Sequence, residues 1–291
     1  MKKNIRVILS GTKFLRFVGT LIGLPLLCVY GQEINAKGLD LSNYKLETVY
    51  STDFSNPSDI VIVSENSLFD NGKRQSPPKQ ADWIYEGKDE VWIDDGTLWI
   101  GGKREDYTFG TEAAYHSVIW NTRRFPDNFL LEFNLIQTQK KGLNIVFFAA
   151  DPTEGEGSIF HPELPKRSGD FTNYTKGAID SYHISYFATT RRGDPRGFAN
   201  MRKNSGFLGV ANGEDLITET DSLGPHTIRL LKVNNQVTLE VNGRIVLDWT
   251  DDGSLGGPPH ESGYIGLRQM RQSAICGYAD FKVWEVRSAK K

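Results

Sequence analysis

The segment Asp180–Gly209 reads DSYHISYFATTRRGDPRGFANMRKNSGFLG. Its opening residues alternate. Tyr182, Ile184 and Tyr186 fall on one face, and Ser181, His183, Ser185 and Phe187 on the other, which predicts a half-buried β-strand. The polar face of that strand carries a titratable imidazole. The chain then runs through Arg191, Arg192, Arg196, Arg202 and Lys203, opposed only by Asp194. A strand-borne histidine beside a cationic loop suits an anionic ligand and a proton transfer. It equally suits a buried structural histidine beside a solvated loop.

Period-two patterning extends outward from there. Upstream, Leu143–Ala150 (LNIVFFAA) is apolar throughout and predicts a strand central in a sheet. Asn128–Thr138 (NFLLEFNLIQT) sends Phe129, Leu131, Phe133 and Leu135 inward, and Leu130, Glu132, Asn134 and Ile136 outward. Ala113–Asn121 sets His116, Val118 and Trp120 on one face. Glu90–Gly101 is a hairpin turning at Asp95-Gly96. Downstream, Thr227–Val233, Val237–Val241 and Arg244–Thr250 form a meander, with Gly263–Arg271 and Tyr278–Val286 closing the chain. Between strands, Asp151–Ile179 lacks periodicity, and a connection that long inside one domain is usually functional. No amphipathic helix, repeat or interdomain linker is apparent. The pattern predicts an all-β fold, two packed antiparallel sheets forming a jelly-roll sandwich.

Residues 1–31 hold Lys2, Lys3, Arg6, Lys13 and Arg16, no acid, and a short apolar run, Phe17–Val29. This is the pattern of a signal peptide ending at Val29-Tyr30-Gly31. The expected organisation is therefore 1–31 signal peptide, 32–43 N-terminal segment and 44–287 one β-sandwich domain, periplasmic or secreted. Lipidation at Cys28 is a secondary reading, disfavoured by the bulky Leu27. Removing the leader leaves 29 basic against 36 acidic residues, a net charge of −7. That balance argues against nucleic acid as a partner. No segment of the mature chain is apolar enough to span a membrane, and Cys276 would be left without a disulfide partner.

The ending VNGRIVLDWTDDG (241–253), SGYIGLRQM (262–270) and YADFKVWEV (278–286) resembles the concanavalin A-like lectin/glucanase sandwiches. HSVIW (116–120), DSYHISYF (180–187), NMRKNSGF (200–207) and GYIGLRQM (263–270) together resemble the YesU-like family, associated with bacterial polysaccharide use. The resemblance implies a curved sandwich with a glycan groove on its concave sheet. It also implies a structural Ca²⁺ between the chain ends, for which Asp53 and Asp280 are the candidates; no other cofactor is expected. The fold hosts enzymes and lectins alike, so function must be argued from the site.

Hydrolases resembling this superfamily carry paired carboxylates on one strand as E-x-D-x-x-E or E-x-x-x-E. No such motif lies on a strand here, and Glu132 is followed two residues later by Asn134. The strands offer His116, His183, Arg268 and Gln269 instead, with Tyr115, Tyr182 and Tyr186 nearby. This set suits β-elimination from a uronic acid, which needs a cation on the carboxylate, a base for the C5 proton and an acid for the departing C4 oxygen. Arg268 or an arginine among Arg191, Arg196 and Arg202 serves the first need. His183 or a tyrosine, Tyr186 included, serves the second, and His116 or another tyrosine the third. Glu132 and Gln269 join the arginines as substrate-binding candidates. The expected partner is an acidic oligosaccharide, and the activity a polysaccharide lyase or a chain-end dehydratase. Two rivals stand beside this reading: a hydrolase using Glu132 with Asp180, and a non-catalytic glycan-binding protein. His161, His226 and His260 read as surface residues.

Overall fold

A computed structural model describes residues 38–289 except 89, 102–115, 141, 155–156, 191–193, 219–220 and 271–274. The expected signal peptide lies outside the described residues. The strands, in chain order, are β1 (Tyr44–Thr52), β2 (Ile62–Ser64), β3 (Phe69–Asp70), β4 (Lys73–Arg74), β5 (Trp83–Gly87), β6 (Glu90–Asp94), β7 (Thr97–Gly101), β8 (Ser117–Asn121), β9 (Phe129–Gln137), β10 (Asn144–Pro152), β11 (Ile179–Tyr186), β12 (Phe198–Asn204), β13 (Leu208–Glu214), β14 (His226–Val233), β15 (Gln236–Val241), β16 (Arg244–Thr250), β17 (Tyr264–Gln269) and β18 (Cys276–Ser288).

Sixteen of them form two sheets of eight strands, and β3 and β4 pair separately with each other. The back sheet runs β16-β15-β14-β9-β18-β7-β6, with β1 also paired to β18, and the front sheet runs β13-β12-β11-β10-β17-β8-β5-β2. Pairing is antiparallel except between β2 and β5, so the all-β sandwich expected from the alternation is the observed fold. At the β6–β7 turn, Asp95 and Gly96 both take positive φ, 46° and 69°, the geometry that an Asp-Gly hairpin turn favours.

The main core lies between the sheets. Val146, Phe148, Tyr182, Ile184, Tyr186 and Leu267 of the front sheet meet Leu131, Phe133, Leu230, Leu239 and Val283 of the back sheet. A second apolar cluster covers the other face of the front sheet. There Ile84, Val118, Trp120, Ile145 and Phe147 are packed under Ile159, Phe160 and Tyr174. Strand β10 is thus buried on both faces, which accounts for its continuous apolar sequence.

The segment after β10 is therefore a packed insert, carrying a single helical turn, α1 (Thr172–Thr175). One carboxylate holds it down. Glu86, in the middle of β5 and fully buried, accepts two hydrogen bonds from the Arg167 guanidinium (2.6 and 3.0 Å to Oε1), one from the Tyr174 hydroxyl (2.7 Å) and one from Trp120 Nε1 (3.1 Å). Burial together with the Glu86 carboxylate holds the Tyr174 phenol far above its ordinary range, so it remains a donor. Arg167 and Arg74 both donate to the Ile159 carbonyl, at 2.8 and 3.2 Å, and Arg74 pairs with buried Glu65 at 2.8 Å.

Removing one partner of a buried ion pair strands the other charge away from water. Glu86→Ala is therefore expected to cost about 3–5 kcal/mol. Denaturant unfolding checks this, and limited proteolysis of the same variant is expected to cut first within the insert.

Candidate active site

The site is built on the insert-covered face of the front sheet. Register sets His183 of β11 opposite Phe147 of β10 and Arg202 of β12, while Arg268 of β17 lies opposite Ile145 of β10 and Val118 of β8. Paired residues share a face, so His183, Arg202 and Arg268 converge from three strands. The His183 ring meets Phe147 and Phe171 edge-on, with centroids at 5.4 and 5.6 Å, and stacks on Phe207 at 5.9 Å and 24°. The Arg202 guanidinium lies 3.9 Å from the Phe207 ring centre, and Arg268 lies 4.8 Å from that of Phe171. Phe207 and Phe171 thus link the imidazole to one guanidinium on each side. Arg268 also donates to the Gly169 carbonyl at 2.9 Å.

His183 and Arg268 form a buried floor, while Arg202, Phe207, Phe171, Asp170 and His116 are half-buried around it. His116 immediately precedes β8. Its carbonyl approaches Gly169 so closely that a Cβ there would lie 1.9 Å from the oxygen, and Gly169 also has φ +83°. Only glycine fits. Asp170 is held below the usual carboxylate range, chiefly by hydrogen bonds from Thr172, with the charges of Arg268 and His116 acting in the same direction. His116, Asp170 and Arg268 therefore share one electrostatic neighbourhood.

Burial pushes His183 down to about 3, and the charges of Arg202 and Arg268 push the same way. The ring is neutral at pH 7 and a weak base, so the expectation that His183 abstracts a proton is revised. Beside it, Ser185 Oγ donates to Asn200 Oδ1 (2.8 Å), and Arg196 donates to the Ser185 carbonyl and hydroxyl, both at 3.0 Å. Arg196 thus belongs to the wall of the same face.

Other expected site residues lie elsewhere. Tyr186 points into the inter-sheet core, where burial raises its phenol well above the ordinary range. Gln269 follows Arg268 and so faces the opposite way, into the buried region holding Asn144, Cys276 and Tyr278. Glu132 lies on the outer face of the back sheet, paired with Arg229 at 2.6 Å. Asp180 belongs to the front sheet and accepts from Ser205 N at 2.8 Å, so Glu132 and Asp180 cannot act as a hydrolytic pair. Arg191, Arg192 and Tyr115 lie outside the described residues. His226 is buried beside Asn242 and Ser222, and His260 is half-buried, so neither is a surface histidine.

Asp53 and Asp280 line one cleft of about 700 Å³, but Arg123 and Lys282 line it too. Asp53 accepts from Ser55 N (2.9 Å) and Asp280 from Asn134 Nδ2 (2.9 Å). Among the described residues no group of three or more His, Cys, Asp or Glu side chains gathers to hold a metal ion.

Residues 66–283 match the family model described as "Domain of unknown function (DUF1961)". The chain belongs to this family. It is 34% identical over 225 residues to uncharacterized protein YesU of Bacillus subtilis (strain 168), covering 76% of this chain and 97% of that relative. A crystal structure of a protein of unknown function with galectin-like fold, from Bacillus subtilis, superposes with a TM-score of 0.66 at 30% identity, over 84% of this chain and 99% of that one. A LamA variant from Z. galactanivorans, solved with laminaritriose and laminaritetraose, superposes with a TM-score of 0.50 at 13% identity over 82% of this chain and 99% of that one. At that identity the likeness shows the fold. The YesU-like resemblance and the jelly roll are thus both borne out.

Because folding lowers the His183 pKa from 6.5 to about 3, its contribution to stability is fully present above pH 6.5 and is lost as the pH falls toward 3. Relative to a His183→Gln variant, the wild type is expected to lose about 1.4 kcal/mol per pH unit over that window, read by chemical denaturation at several pH values.

Proposed function

We propose that this protein is a carbohydrate-active enzyme that takes the uronate end of an acidic oligosaccharide on the front sheet and eliminates across C4–C5. The observation that carries this reading is the convergence of Arg202 and Arg268 on a neutral His183, with His116 and Asp170 at the rim. Two guanidiniums make the potential there positive, which favours a carboxylate and acidifies the proton on the adjoining carbon. Glu86, the buried carboxylate on the same sheet face, is occupied by Arg167, Tyr174 and Trp120.

Arg202, being half-buried, meets the carboxylate, and Arg268 adds charge from behind Phe171. His116 removes the C5 proton. The C5–H electron pair forms the C4=C5 bond as the C4–O bond breaks, and the departing oxygen takes the proton back from His116. If that oxygen belongs to another sugar, the reaction is a lyase cleavage. If it is a free hydroxyl, water leaves and the oligomer stays whole. The packed insert narrows the face at one side and favours the chain-end case. The near-complete enclosure of His183 also suits a glycan-binding protein without turnover, and the product assay separates the two.

Incubation with pectic, ulvan-type and alginate oligosaccharides, read by mass, is expected to give an unsaturated uronate, either with loss of one water or as two fragments. His116→Ala is expected to slow product formation by about 100-fold or more, and Arg202→Ala to raise KM with a smaller fall in kcat. Saturated products would mean hydrolysis, and binding without product would mean a lectin-like role.

A further inference from the structure

Asn204 ties the site to the far side of the front sheet. Register sets it opposite Ser181 at the end of β12, where it is buried. Its amide Nδ2 lies 2.9 Å from His183 Nδ1 and 3.1 Å from Ser181 Oγ. Its backbone carbonyl accepts from His260 Nε2 at 2.8 Å, and the His260 backbone N–H donates to the Tyr182 hydroxyl at 2.8 Å. Tyr182 in turn hydrogen-bonds Asp251, which pairs with buried Lys203 at 2.8 Å. The 251–260 loop thus holds the strand end that carries Asn204.

With the Asn204 amide turned so that Nδ2 faces the ring and Oδ1 is buried without a partner among the described residues, the nitrogen donates and His183 Nδ1 accepts. A neutral imidazole accepting at Nδ1 carries its hydrogen at Nε2. Among the described residues no group hydrogen-bonds Nε2, and that atom is not among the buried polar atoms sealed from solvent. The charged groups facing the ring are Arg202 from β12 and Arg268 from β17. Phe147, Phe171 and Phe207 are its uncharged neighbours, and His260 lies beyond Asn204.

We propose that Asn204, steadied by His260, is a positioning residue that fixes His183 as the Nε2–H tautomer, so that the ring meets an oxygen of the bound sugar as a neutral hydrogen-bond donor. The sugar contact rests on the function proposed above; the tautomer does not. A group bound at this point must be an acceptor, such as a carboxylate, hydroxyl or ring oxygen. A second base at this position has no place in the mechanism.

Long-range ¹⁵N–¹H correlation spectra of the full, histidine-labelled protein test this directly. The wild type is expected to show the Nε2–H pattern for His183, unchanged between about pH 8 and pH 5, the window in which ordinary histidines titrate. In Asn204→Asp the new carboxylate accepts from Nδ1, so the tautomer reverses and the ring titrates within that window. His260→Gln, which keeps a donor to the Asn204 carbonyl, is expected to retain the wild-type pattern. Adding the acidic oligosaccharides above is expected to shift the wild-type Nε2–H resonance, with affinity about tenfold weaker in Asn204→Asp. An Nδ1–H pattern in the wild type would overturn the proposal. So would a folded Asn204→Asp variant that keeps the Nε2–H form. If Asn204→Asp does not fold, the wild-type spectrum decides. Should the tautomer stand while none of the oligosaccharides shifts the resonance, the sugar contact is overturned, and the product assay tells whether the functional reading falls with it.

Discussion

A buried carboxylate in the middle of β5 is the constraint on which the rest depends. Glu86 has no access to water, so its charge must be met by protein groups, and it is met by a guanidinium fork, a phenol and an indole. Two of those donors, Arg167 and Tyr174, come from the insert after β10. Satisfying Glu86 therefore fixes the insert on the sheet. The same anchoring brings Gly169 against the His116 carbonyl and places Phe171 between Arg268 and His183. Removal of the carboxylate would strand Arg167 and Tyr174 and leave the aromatic roof held by its apolar contacts and by the Arg268 bond to the Gly169 carbonyl.

The charge distribution follows from that roof. Arg202 and Arg268 stand on aromatic faces, and Arg268 also donates to the Gly169 carbonyl. A guanidinium on a ring keeps its positive field, whereas one paired to a carboxylate largely loses it. The back sheet shows the contrast: Arg229 sits between Glu132 and Glu240 and is neutralised in place. On the front face the surrounding phenylalanines and the depressed pKa keep His183 from adding a further positive charge beside Arg202 and Arg268.

Much of this was legible in the sequence because alternation is local. The apolar run at β10, the Asp95-Gly96 turn and the C-terminal meander each carry their own signature, and all three occur as expected. Alternation also separates Tyr186 from His183 and Gln269 from Arg268. Grouping them by chemistry ignored that separation, and the two misplaced residues lie in the inter-sheet interior. Glu132 failed for another reason: a pattern tells which residues share a face but not which sheet they belong to. Glu86 and Arg167 are 81 positions apart, and no local pattern announces a contact at that range. Asn204, Phe207 and Phe171 were equally hidden. Asn204 does lie two residues from Arg202 on the same strand, and that spacing was the signal available for finding it.

The central claim is that an acidic sugar sits on the insert-covered face between Arg202 and His116. The most direct test is a crystal structure of the His116→Ala variant soaked with an acidic oligosaccharide. The account predicts density for a sugar with its carboxylate at Arg202 and an oxygen facing His183 Nε2. Sugar density on the back sheet, or in the cleft lined by Asp53 and Arg123 with the front face empty, would contradict it.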